Sequence, residues 1–437
     1  MITDLKDRIT RRDYTVGVIG LGYVGLPVLL RFWQVGFRVM GFDIDAGKVK
    51  RLTVGESYIR HIPHKTVQPL VGSGRFEVTT DFSRLREADA ILICVPTPLD
   101  AHRDPDLQYV VQTADAIAGT LREGQLICLE STTYPGTTEE LLLPRFQARG
   151  LTIGKDVFLA FSPEREDPGN SASSLAVISK VLGGVTPACG ELAEALYATV
   201  VGRVVRVSSP KVAEMTKLLE NIYRAVNIAL VNELKILADR MEIDIWEVIE
   251  AAATKPFGFQ AFTPGPGLGG HCIPIDPFYL TWKARAYGLS TRFIELAGEI
   301  NQAMPAWVVQ KVMEALNSCG KPLKGARILV LGVAYKPDID DQRESPALEI
   351  LTRLHQQGAL VNYSDPHVPR CYGHRHYPTL DLVSLPLTAD TLRAQDAVIL
   401  VTNHAAFDLD LIRDHAPLVV DTRNAFKGVP SSKVIKA

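Results

Sequence analysis

The sequence predicts an α/β protein in which two doubly wound lobes of parallel strands are joined by a long central helix. Short apolar, β-branched runs alternate with helical stretches from residue 14 onwards, and a second series of the same kind begins at residue 327. Strands that alternate with helices form βαβ units, whose parallel sheet is covered on both faces. Between the two series, residues 211–255 contain neither glycine nor proline, which indicates a helical connection.

The predicted strands are short runs typical of buried parallel sheets. In the first lobe they are residues 14–19, 38–42, 90–95, 126–130 and 157–160, and in the second lobe residues 327–331, 360–363, 397–401 and 418–420. All are far shorter than the roughly 20 apolar residues that a bilayer span needs. We therefore expect no insertion into a membrane.

The central helix is predicted to begin after Ser208, Ser209 and Pro210, which supply a cap and a proline suited to a first turn. Residues 211–240 repeat apolar side chains at helical spacing, which corresponds to a rod of about 40 Å. Such a rod joins two lobes and offers a face to a second subunit, so we expect a homodimer or a higher homo-oligomer. Asp244 is expected to cap a second helix, and residues 256–280 to form an irregular, functional loop.

Composition excludes several classes of function. The 437 residues carry 47 Lys and Arg against 49 Asp and Glu, a net charge of −2, and no basic stripe, which argues against a nucleic-acid partner. The first residues lack the apolar region of a signal peptide, and six cysteines without C-x-x-C pairs indicate a reducing, cytoplasmic compartment. No metal is expected, because the spacing of His367, Cys371, His374 and His376 fits no zinc template.

A glycine-rich turn follows the first predicted strand. It reads Gly20-Leu21-Gly22-Tyr23-Val24-Gly25, and the second strand then ends at Asp43. This order of strand, turn, helix, strand and acid is the Rossmann-like dinucleotide fingerprint, in which phosphates meet a helix N-terminus. Asp43 would accept a hydrogen bond from a ribose 2′-hydroxyl and repel a 2′-phosphate, so NAD is the expected cofactor. The alternative is a glycine turn needed only for packing.

The second lobe begins with a similar strand but lacks the second and third glycines after Gly332. It carries Lys336 and Arg343 just beyond that strand, which suits a different phosphate-bearing ligand such as a nucleotide sugar. An exposed, charged turn is the alternative.

Cys272 lies in the sequence Gly-Gly-His-Cys-Ile-Pro, where the glycines leave space for a ligand. A thiol combined with NAD is a chemical route from an aldehyde to an acid: the thiolate adds to give a thiohemiacetal, whose oxidation gives a thioester that water cleaves. Lys217 and Asn221 share one face of the central helix and could stabilise an oxyanion, unless that face is merely solvated. Glu164 and Glu166 follow the last predicted strand of the first lobe. Either could act as a base or bind a ribose, and ordinary surface charge is the alternative.

Seven motifs resemble those of the UDP-glucose/GDP-mannose dehydrogenase family, in order and over nearly the whole chain. They are GLGYVGLP, CVPTP, STTYPGT, FSPER, EMTKLLEN, GGHCIPIDP and YKPDIDDQRESP. The resemblance implies a four-electron, NAD-dependent oxidation of the 6-hydroxyl of a nucleotide sugar to a carboxylate. It also implies an NAD-binding domain over residues 1–207, a central helical dimerisation domain with the cysteine loop over 208–310, and a UDP-sugar-binding domain over 311–437.

The resemblance implies roles for individual residues. Cys272 would be the nucleophile, Lys217 and Asn221 would stabilise the oxyanion, Asp276 would activate water or shuttle protons, Glu164 would be the base for thioester hydrolysis, and Thr132 would place the water. Cofactor contacts would come from Gly20, Gly22, Tyr23, Val24, Gly25, Asp43, Pro96, Thr97, Thr132, Glu166 and Arg343, the last of these across the lobes. Substrate contacts would come from Arg165, Glu166, Lys217, Asn221, Phe257, Phe259, Gly269, Lys336 and Arg423.

Within the family, the cysteine loop and the segment FSPEREDPGN look most like the UDP-N-acetylglucosamine 6-dehydrogenase branch of bacterial polysaccharide and O-antigen pathways. UDP-glucose dehydrogenases carry an inter-subunit arginine sixteen residues before the cysteine, where this chain has Pro256 beside Lys255. The N-acetylmannosamine, N-acetylgalactosamine and glucose substrates stay open. Two other classes also stay open: a simple alcohol dehydrogenase that transfers one hydride, and a non-catalytic NAD-binding redox sensor.

Overall fold

The structure, a computed structural model, describes residues 1–60, 62–100, 104–165, 176–270, 273–374, 376–429 and 431–437. The chain divides into two compact units. Unit 1 comprises Met1–Glu220 and Phe278–Leu289, and unit 2 comprises Asn221–Pro277 and Ser290–Ala437. The three domains expected from the sequence stay a prediction. None of the described helices is long and apolar enough to cross a bilayer.

The described strands of unit 1 form one sheet. They are β1 (Thr15–Ile19), β2 (Arg38–Phe42), β3 (Phe76–Thr79), β4 (Ala90–Ile93), β5 (Leu126–Leu129), β6 (Phe158–Phe161), β7 (Lys180–Gly184) and β8 (Val204–Val207). Their spatial order is β3-β2-β1-β4-β5-β6-β7-β8, and every neighbouring pair is parallel except β6 with β7. The first six strands have the doubly wound order 3-2-1-4-5-6 of dinucleotide-binding sheets.

Helices cover both faces of this sheet. They include α1 (Ile2–Arg11), α2 (Gly25–Gln34), α3 (Ala46–Thr53), α4 (His64–Val67), α5 (Gln108–Thr120), α6 (Leu143–Gln147) and α7 (Pro187–Tyr197). Alternate residues of one strand point to opposite faces of a sheet. In β4, Leu92 therefore joins one apolar core while Ile91 and Ile93 join the other. This two-sided burial explains why the strands read as continuous apolar runs.

Unit 2 contains a second parallel sheet, whose first strand is followed by Gly332 but not by the second and third glycines of the fingerprint. Its described strands are β9 (Arg327–Leu331), β10 (Leu360–Ser364), β13 (Ala397–Leu400), β14 (Val419–Asp421) and β15 (Val434–Lys436), in the order β10-β9-β13-β14-β15. A separate antiparallel pair joins β11 (Arg370–Cys371) to β12 (Leu382–Val383). The helices are α9 (Ile245–Ala253), α11 (Arg292–Ser318), α12 (Pro346–Gln356), α13 (Ala389–Arg393) and α14 (Leu409–His415). The predicted α/β class with two doubly wound lobes is confirmed.

The long helix α8 (Pro210–Arg240) runs from unit 1 into unit 2, as the absence of glycine and proline predicted. It ends before Glu242, whose positive φ of 58° breaks the helical path. Asp244 then caps α9 by accepting a hydrogen bond from the Trp246 N–H at 3.0 Å, so the predicted cap is confirmed.

One sequence expectation is wrong at its C-terminal end. Residues 256–280 were expected to be irregular throughout, but helix α10 (Asp276–Arg285) begins inside this segment. The proline at position 277 suggested a loop, whereas a proline in the first turn of a helix leaves no intrahelical hydrogen bond unmade. Asp276 is therefore the first residue of a helix.

Candidate active site

The glycine turn after β1 has the geometry that a dinucleotide phosphate site needs. Gly20 has a φ of +88°, and a Cβ there would lie 2.5 Å from the Cys94 carbonyl oxygen. A Cβ on Gly25 would lie 1.8 Å from the Gly20 carbonyl oxygen, so both positions require glycine. A Cβ on Gly22 would meet none of the described residues within 4 Å, which leaves that side of the turn open toward them. The first turn of α2 also has no side-chain cap among the described residues, as suits a phosphate-binding helix N-terminus.

Asp43, at the end of β2, closes this turn. Its Oδ2 accepts a hydrogen bond from the Leu21 N–H at 2.8 Å, and its Oδ1 accepts one from the Asp45 N–H at 2.9 Å. The Lys48 Nζ lies 3.3 Å from Oδ2. An ionised carboxylate has about four acceptor sites, so these three donors leave acceptor capacity for a ribose hydroxyl. The residues fit the adenosine end of NAD.

The other predicted cofactor residues of unit 1 gather at the same edge of the sheet. Pro96 and Thr97 follow β4, and Thr132 follows β5, while Tyr23 and Val24 lie in the glycine turn. Because β1, β4 and β5 are parallel neighbours, their carboxyl ends meet at one edge. Glu166 and Cys272 lie outside the described residues.

Sequence reasoning missed Thr133. Its side chain is buried, and its Oγ1 has no hydrogen-bond partner among the described residues, whereas the neighbouring Thr132 is partly exposed. A buried hydroxyl without a partner is unusual and commonly marks a place for a water or a ligand. The only sequence signal was its place in the segment STTYPGT at a strand end.

Glu164 is fixed at both its backbone and its side chain in unit 1. Its carbonyl oxygen accepts a hydrogen bond from the Lys217 Nζ at 2.7 Å, which ties α8 to the segment after β6. Its Oε2 accepts one from the Lys180 Nζ at 2.9 Å. The next residue, Arg165, forms a paired contact with Glu220 of α8, with one N–O distance of 2.6 Å. Two predicted catalytic residues, Glu164 and Lys217, are thus in direct contact.

Asn221 and Asp276 are brought together in unit 2. The Asn221 Nδ2 donates a hydrogen bond to the Asp276 Oδ2, and the Asn221 Oδ1 accepts one from Arg224. Both Asn221 and Asp276 are buried. The amide is therefore oriented by a carboxylate on one side and a guanidinium on the other, which fixes the direction in which its second N–H can donate.

The described part of the loop before Cys272 belongs to unit 2 and packs closely against other residues of that unit. The Gly265 N–H donates to the Asn232 Oδ1 at 2.9 Å, and the Gly270 N–H donates to the Arg343 carbonyl oxygen at 3.0 Å. A Cβ on Gly269 would lie 2.5 Å from the Tyr335 Cβ. Close packing against Tyr335 therefore requires glycine at this position.

Two predicted substrate cations lie at the carboxyl edge of the unit 2 sheet. Lys336 follows β9, and Arg423 follows β14 with its Nε donating to the Val401 carbonyl oxygen at 2.7 Å. Burial lowers the pKa of Arg423 to about 10, which leaves the guanidinium charged at neutral pH. Arg343 is instead paired with Asp341, at 2.6 Å between Nη2 and Oδ2. Phe257 and Phe259 are exposed, and the Lys255 Nζ lies 4.9 Å from the centre of the Phe257 ring.

Unit 2 repeats the closed turn of unit 1 without the glycine fingerprint. Gly332 has a φ of +81°, and Asp365, directly after β10, accepts hydrogen bonds from the Val333 N–H at 2.7 Å and from His404. Sequence reasoning missed Asp365 and His404, although an acid follows the second strand in both lobes. Asp338, His367 and His404 place possible ligand atoms within 4.8 Å of one another. The His404 Nδ1, however, accepts from the Asp338 N–H and its Nε2 faces Asp365, so both ring nitrogens are engaged.

Three domain descriptions of one family match the chain in order. The UDP-glucose/GDP-mannose dehydrogenase family NAD binding domain matches residues 14–201, its central domain matches residues 211–303, and its UDP binding domain matches residues 329–428.

Individual relatives cover nearly the whole chain. A UDP-N-acetyl-D-glucosamine 6-dehydrogenase of Pseudomonas aeruginosa is 35% identical over 398 residues, which span 91% of this chain and 92% of that protein. An NDP-N-acetyl-D-galactosaminuronic acid dehydrogenase of Ralstonia nicotianae is 36% identical over 99% of this chain and 100% of its own. The solved structure of a UDP-D-ManNAc dehydrogenase from Pyrococcus horikoshii is 33% identical, covers 97% of this chain and 98% of its own, and has a TM-score of 0.87. These relatives are named for different sugars.

Proposed function

Because the chain belongs to the UDP-glucose/GDP-mannose dehydrogenase family, we propose that it oxidises the 6-hydroxyl of a UDP-N-acetylhexosamine to the uronic acid, with UDP-N-acetylglucosamine as the first substrate to test. It is an NAD-dependent nucleotide-sugar dehydrogenase, as the matching NAD-binding and UDP-binding domains indicate. The relative from Pseudomonas aeruginosa supports N-acetylglucosamine as the sugar. The relatives named for N-acetylmannosamine and N-acetylgalactosaminuronic acid make those two epimers the main alternatives, and UDP-glucose is a further one.

The observation that carries this proposal is the repetition of one closed turn in both units. Gly20 with Asp43 in unit 1, and Gly332 with Asp365 in unit 2, each form a turn at the carboxyl edge of a parallel sheet. Ligands of doubly wound sheets bind at this edge. A chain with two such edges suits a reaction between two nucleotides, here NAD and a UDP-sugar.

The proposed chemistry needs two hydride transfers and one water. Bound NAD supplies the hydride acceptor in both oxidations, so two NADH form for each sugar. The Cys272 thiolate adds to the intermediate aldehyde, and the resulting thiohemiacetal loses the second hydride to become a thioester. Water then cleaves the thioester, releasing the carboxylate and restoring the thiol.

The other predicted site residues have separate tasks in this scheme. Lys217 and Asn221 stabilise the oxyanion with positive charge and an oriented amide. Glu164 acts as base for the water, Asp276 shuttles protons, and Thr132 helps to place the water. Gly20, Gly22, Gly25 and Asp43 bind NAD with Tyr23, Val24, Pro96, Thr97, Glu166 and Arg343. Arg165, Phe257, Phe259, Gly269, Lys336 and Arg423 bind the UDP-sugar.

The assembly and location are part of the proposal. In α8, Tyr223, Leu230, Leu234 and Leu237 recur at helical spacing, and Met241 directly after the helix continues the row; all are between 40% and 58% exposed. An apolar row of this kind suits packing against a second copy, so we propose a homodimer or a higher homo-oligomer. We also propose that the enzyme works in the cytoplasm and serves bacterial polysaccharide or O-antigen synthesis.

The central experiment measures NADH formed per sugar consumed, with UDP-N-acetylglucosamine, UDP-N-acetylgalactosamine, UDP-N-acetylmannosamine and UDP-glucose in parallel. We expect about two NADH per sugar, with the highest kcat/KM for UDP-N-acetylglucosamine. Cys272→Ala should abolish acid formation, while Cys319→Ala, at an exposed cysteine after α11, is the matched control.

Each of the other results has a definite meaning. One NADH per sugar with free aldehyde would identify a simple alcohol dehydrogenase. NAD binding without turnover of any sugar would favour a redox sensor. A higher kcat/KM for another epimer would replace the proposed sugar and leave the reaction unchanged.

A further inference from the structure

A buried array of charged side chains lies beside Glu164 in unit 1. The Lys180 Nζ donates hydrogen bonds to the Glu130 Oε2 at 2.7 Å and to the Glu164 Oε2 at 2.9 Å. The Tyr197 hydroxyl donates to the other oxygen of Glu130, at 2.5 Å. None of Glu130, Lys180 and Tyr197 has a task in the scheme above.

The antiparallel strand β7 explains why these residues meet. Phe161 of β6 is paired with Gly183 of β7. In an antiparallel pair, three residues forward from Phe161 and three residues back from Gly183 lie opposite each other, which places Glu164 opposite Lys180. Glu130 directly follows β5, which is parallel to β6. The first residue of β7 therefore lies at the edge where β5 and β6 end.

The array is buried, and the contacts between its members determine their charge states. The Lys180 side chain is 2% exposed, Glu130 is 0% exposed, and Glu164 is 10% exposed. Burial by itself lowers the pKa of Lys180, but the negative charges of Glu130 and Glu164 outweigh burial and raise it above its ordinary value. Lys180 is therefore a cation. Burial raises the pKa of Glu130, whereas the charge of Lys180 and the hydrogen bonds from Lys180 and Tyr197 act in the opposite direction and favour its ionised form.

Lys180 acts on Glu164 without access to a ligand of its own. The Glu164 Oε2 is bound by Lys180, and its Oε1 is 2.6 Å from the N–H of Arg165. We propose that Lys180, held in place by Glu130, is a positioning residue that orients Glu164 and keeps it ionised as the base of thioester hydrolysis. This inference rests on the role of Glu164 in the proposed function.

Several charged or titratable groups surround Glu164 in unit 1. Among the described residues they are Lys180 and Glu130 from the sheet, Lys217 and Glu220 from α8, the adjacent Arg165, Tyr197 from α7, and Cys94 after β4. Burial raises the pKa of Cys94, which keeps this thiol neutral. Lys180 and Glu130 are buried charges of opposite sign, so their removal should shift the pKa of Glu164 in opposite directions.

The test follows the decay of the acyl-enzyme as a function of pH. Full-length protein is mixed with NAD and the best UDP-sugar of the panel, quenched in acid at successive times, and its intact mass is measured. Lys180→Met removes the cation, so Glu164 should lose its proton only at higher pH, and the acidic limb of the decay rate should shift upwards by roughly one pH unit. Glu130→Gln removes a neighbouring negative charge, so the same limb should shift to lower pH. Lys180→Arg should retain most of the wild-type profile.

The outcomes separate this inference from the proposed function. If Glu164→Gln hydrolyses its acyl-enzyme at the wild-type rate, the assignment of the base is wrong. If Glu164→Gln stalls while Lys180→Met keeps the wild-type rate and limb, the positioning role alone is overturned. Equal shifts in the same direction for Lys180→Met and Glu130→Gln would also overturn it.

Should Lys180→Met fail to fold, the neutral double variant Glu130→Gln/Lys180→Met replaces it, because removing both members of a buried pair costs less than removing one. The two opposite shifts should largely cancel in the double variant, so its limb should lie between those of the single variants. Its maximal rate of acyl-enzyme hydrolysis should still fall, because Glu164 has lost the Lys180 hydrogen bond that orients it, and a wild-type maximal rate would contradict the proposal.

Discussion

At the level of single residues, the three glycines of the first turn have different physical tasks. Gly20 and Gly25 are required by the protein itself, since a Cβ on either would overlap a backbone oxygen. Packing against the described part of unit 1 does not require Gly22, because a Cβ there would meet none of those residues within 4 Å. Its side of the turn is therefore the side from which a pyrophosphate would approach the backbone.

This difference predicts opposite effects for two alanine variants. Gly25→Ala should destabilise the protein by roughly 1–3 kcal/mol or prevent folding, because the added methyl group overpacks a closed turn. The free energy of unfolding of Gly22→Ala should lie within about 0.5 kcal/mol of the wild-type value. The variant should nevertheless bind NAD at least tenfold more weakly. Urea unfolding without ligand and titration of NADH fluorescence measure the two effects. Tight NAD binding by Gly22→Ala would show that the pyrophosphate lies elsewhere.

At the level of elements, helix α8 combines several local functions. In unit 1, its Glu214 carboxylate accepts hydrogen bonds from the Thr138 N–H at 3.0 Å and hydroxyl at 2.7 Å, and its Lys217 binds the Glu164 carbonyl oxygen. In unit 2, its Asn221 contacts Asp276, and its Asn232 holds the Gly265 N–H. These buried polar residues fall on the opposite side from the exposed apolar row.

The exposed row predicts the oligomeric state of variants. Leu234→Glu and Leu237→Glu would each place a carboxylate in the proposed contact between two copies of α8, so the dissociation constant of the proposed dimer should rise at least tenfold. Light scattering coupled to gel filtration, over a range of protein concentrations, measures this. Val383→Glu is the control, because Val383 is an exposed apolar residue of β12. A wild-type dimer in both α8 variants would place the interface elsewhere.

At the level of the whole molecule, two sheets of different strand order carry similar closed turns. The first six strands of unit 1 follow the order 3-2-1-4-5-6, and unit 2 follows the order 2-1-3-4-5. In both orders the reversal occurs beside the first strand, where ligands bind. Of the two sheets, the first alone has the complete glycine fingerprint after its first strand, which assigns NAD to unit 1.

Hydrogen exchange with each nucleotide alone should therefore protect different segments. NAD should slow exchange in residues 20–25 and 43–48, and UDP should slow it in residues 332–336 and 421–424. Gly22→Ala should abolish the first effect and leave the second unchanged. If UDP protects the segment around Gly20 and not that around Gly332, the assignment of the two units is reversed.

Local features of this protein were predictable from the sequence. The glycine turn, the cap at Asp244 and the uninterrupted helix α8 depend on residues a few positions apart, and all three occur as predicted. The strands β3, β7, β8 and β15 were not predicted, because none is a continuous buried apolar run: β3, β8 and β15 are largely half-buried, and β7 begins with a lysine and ends in two glycines. The stability of each depends on its neighbours in the sheet. The start of α10 was missed because Pro277 resembles a loop residue when its helical neighbours are unknown.

The sequence by itself determined the family, the cofactor and the presence of two nucleotide-binding lobes, since these follow from motifs whose residues are close together in the chain. Only the tertiary structure decided that Lys180 joins Glu130 to Glu164, that Asn221 is oriented by Asp276, and that Asp365 closes the second turn. These contacts join residues 16 to 55 positions apart. They arise because a sheet brings the ends of distant strands to one edge, and no local pattern records which strand lies next to which.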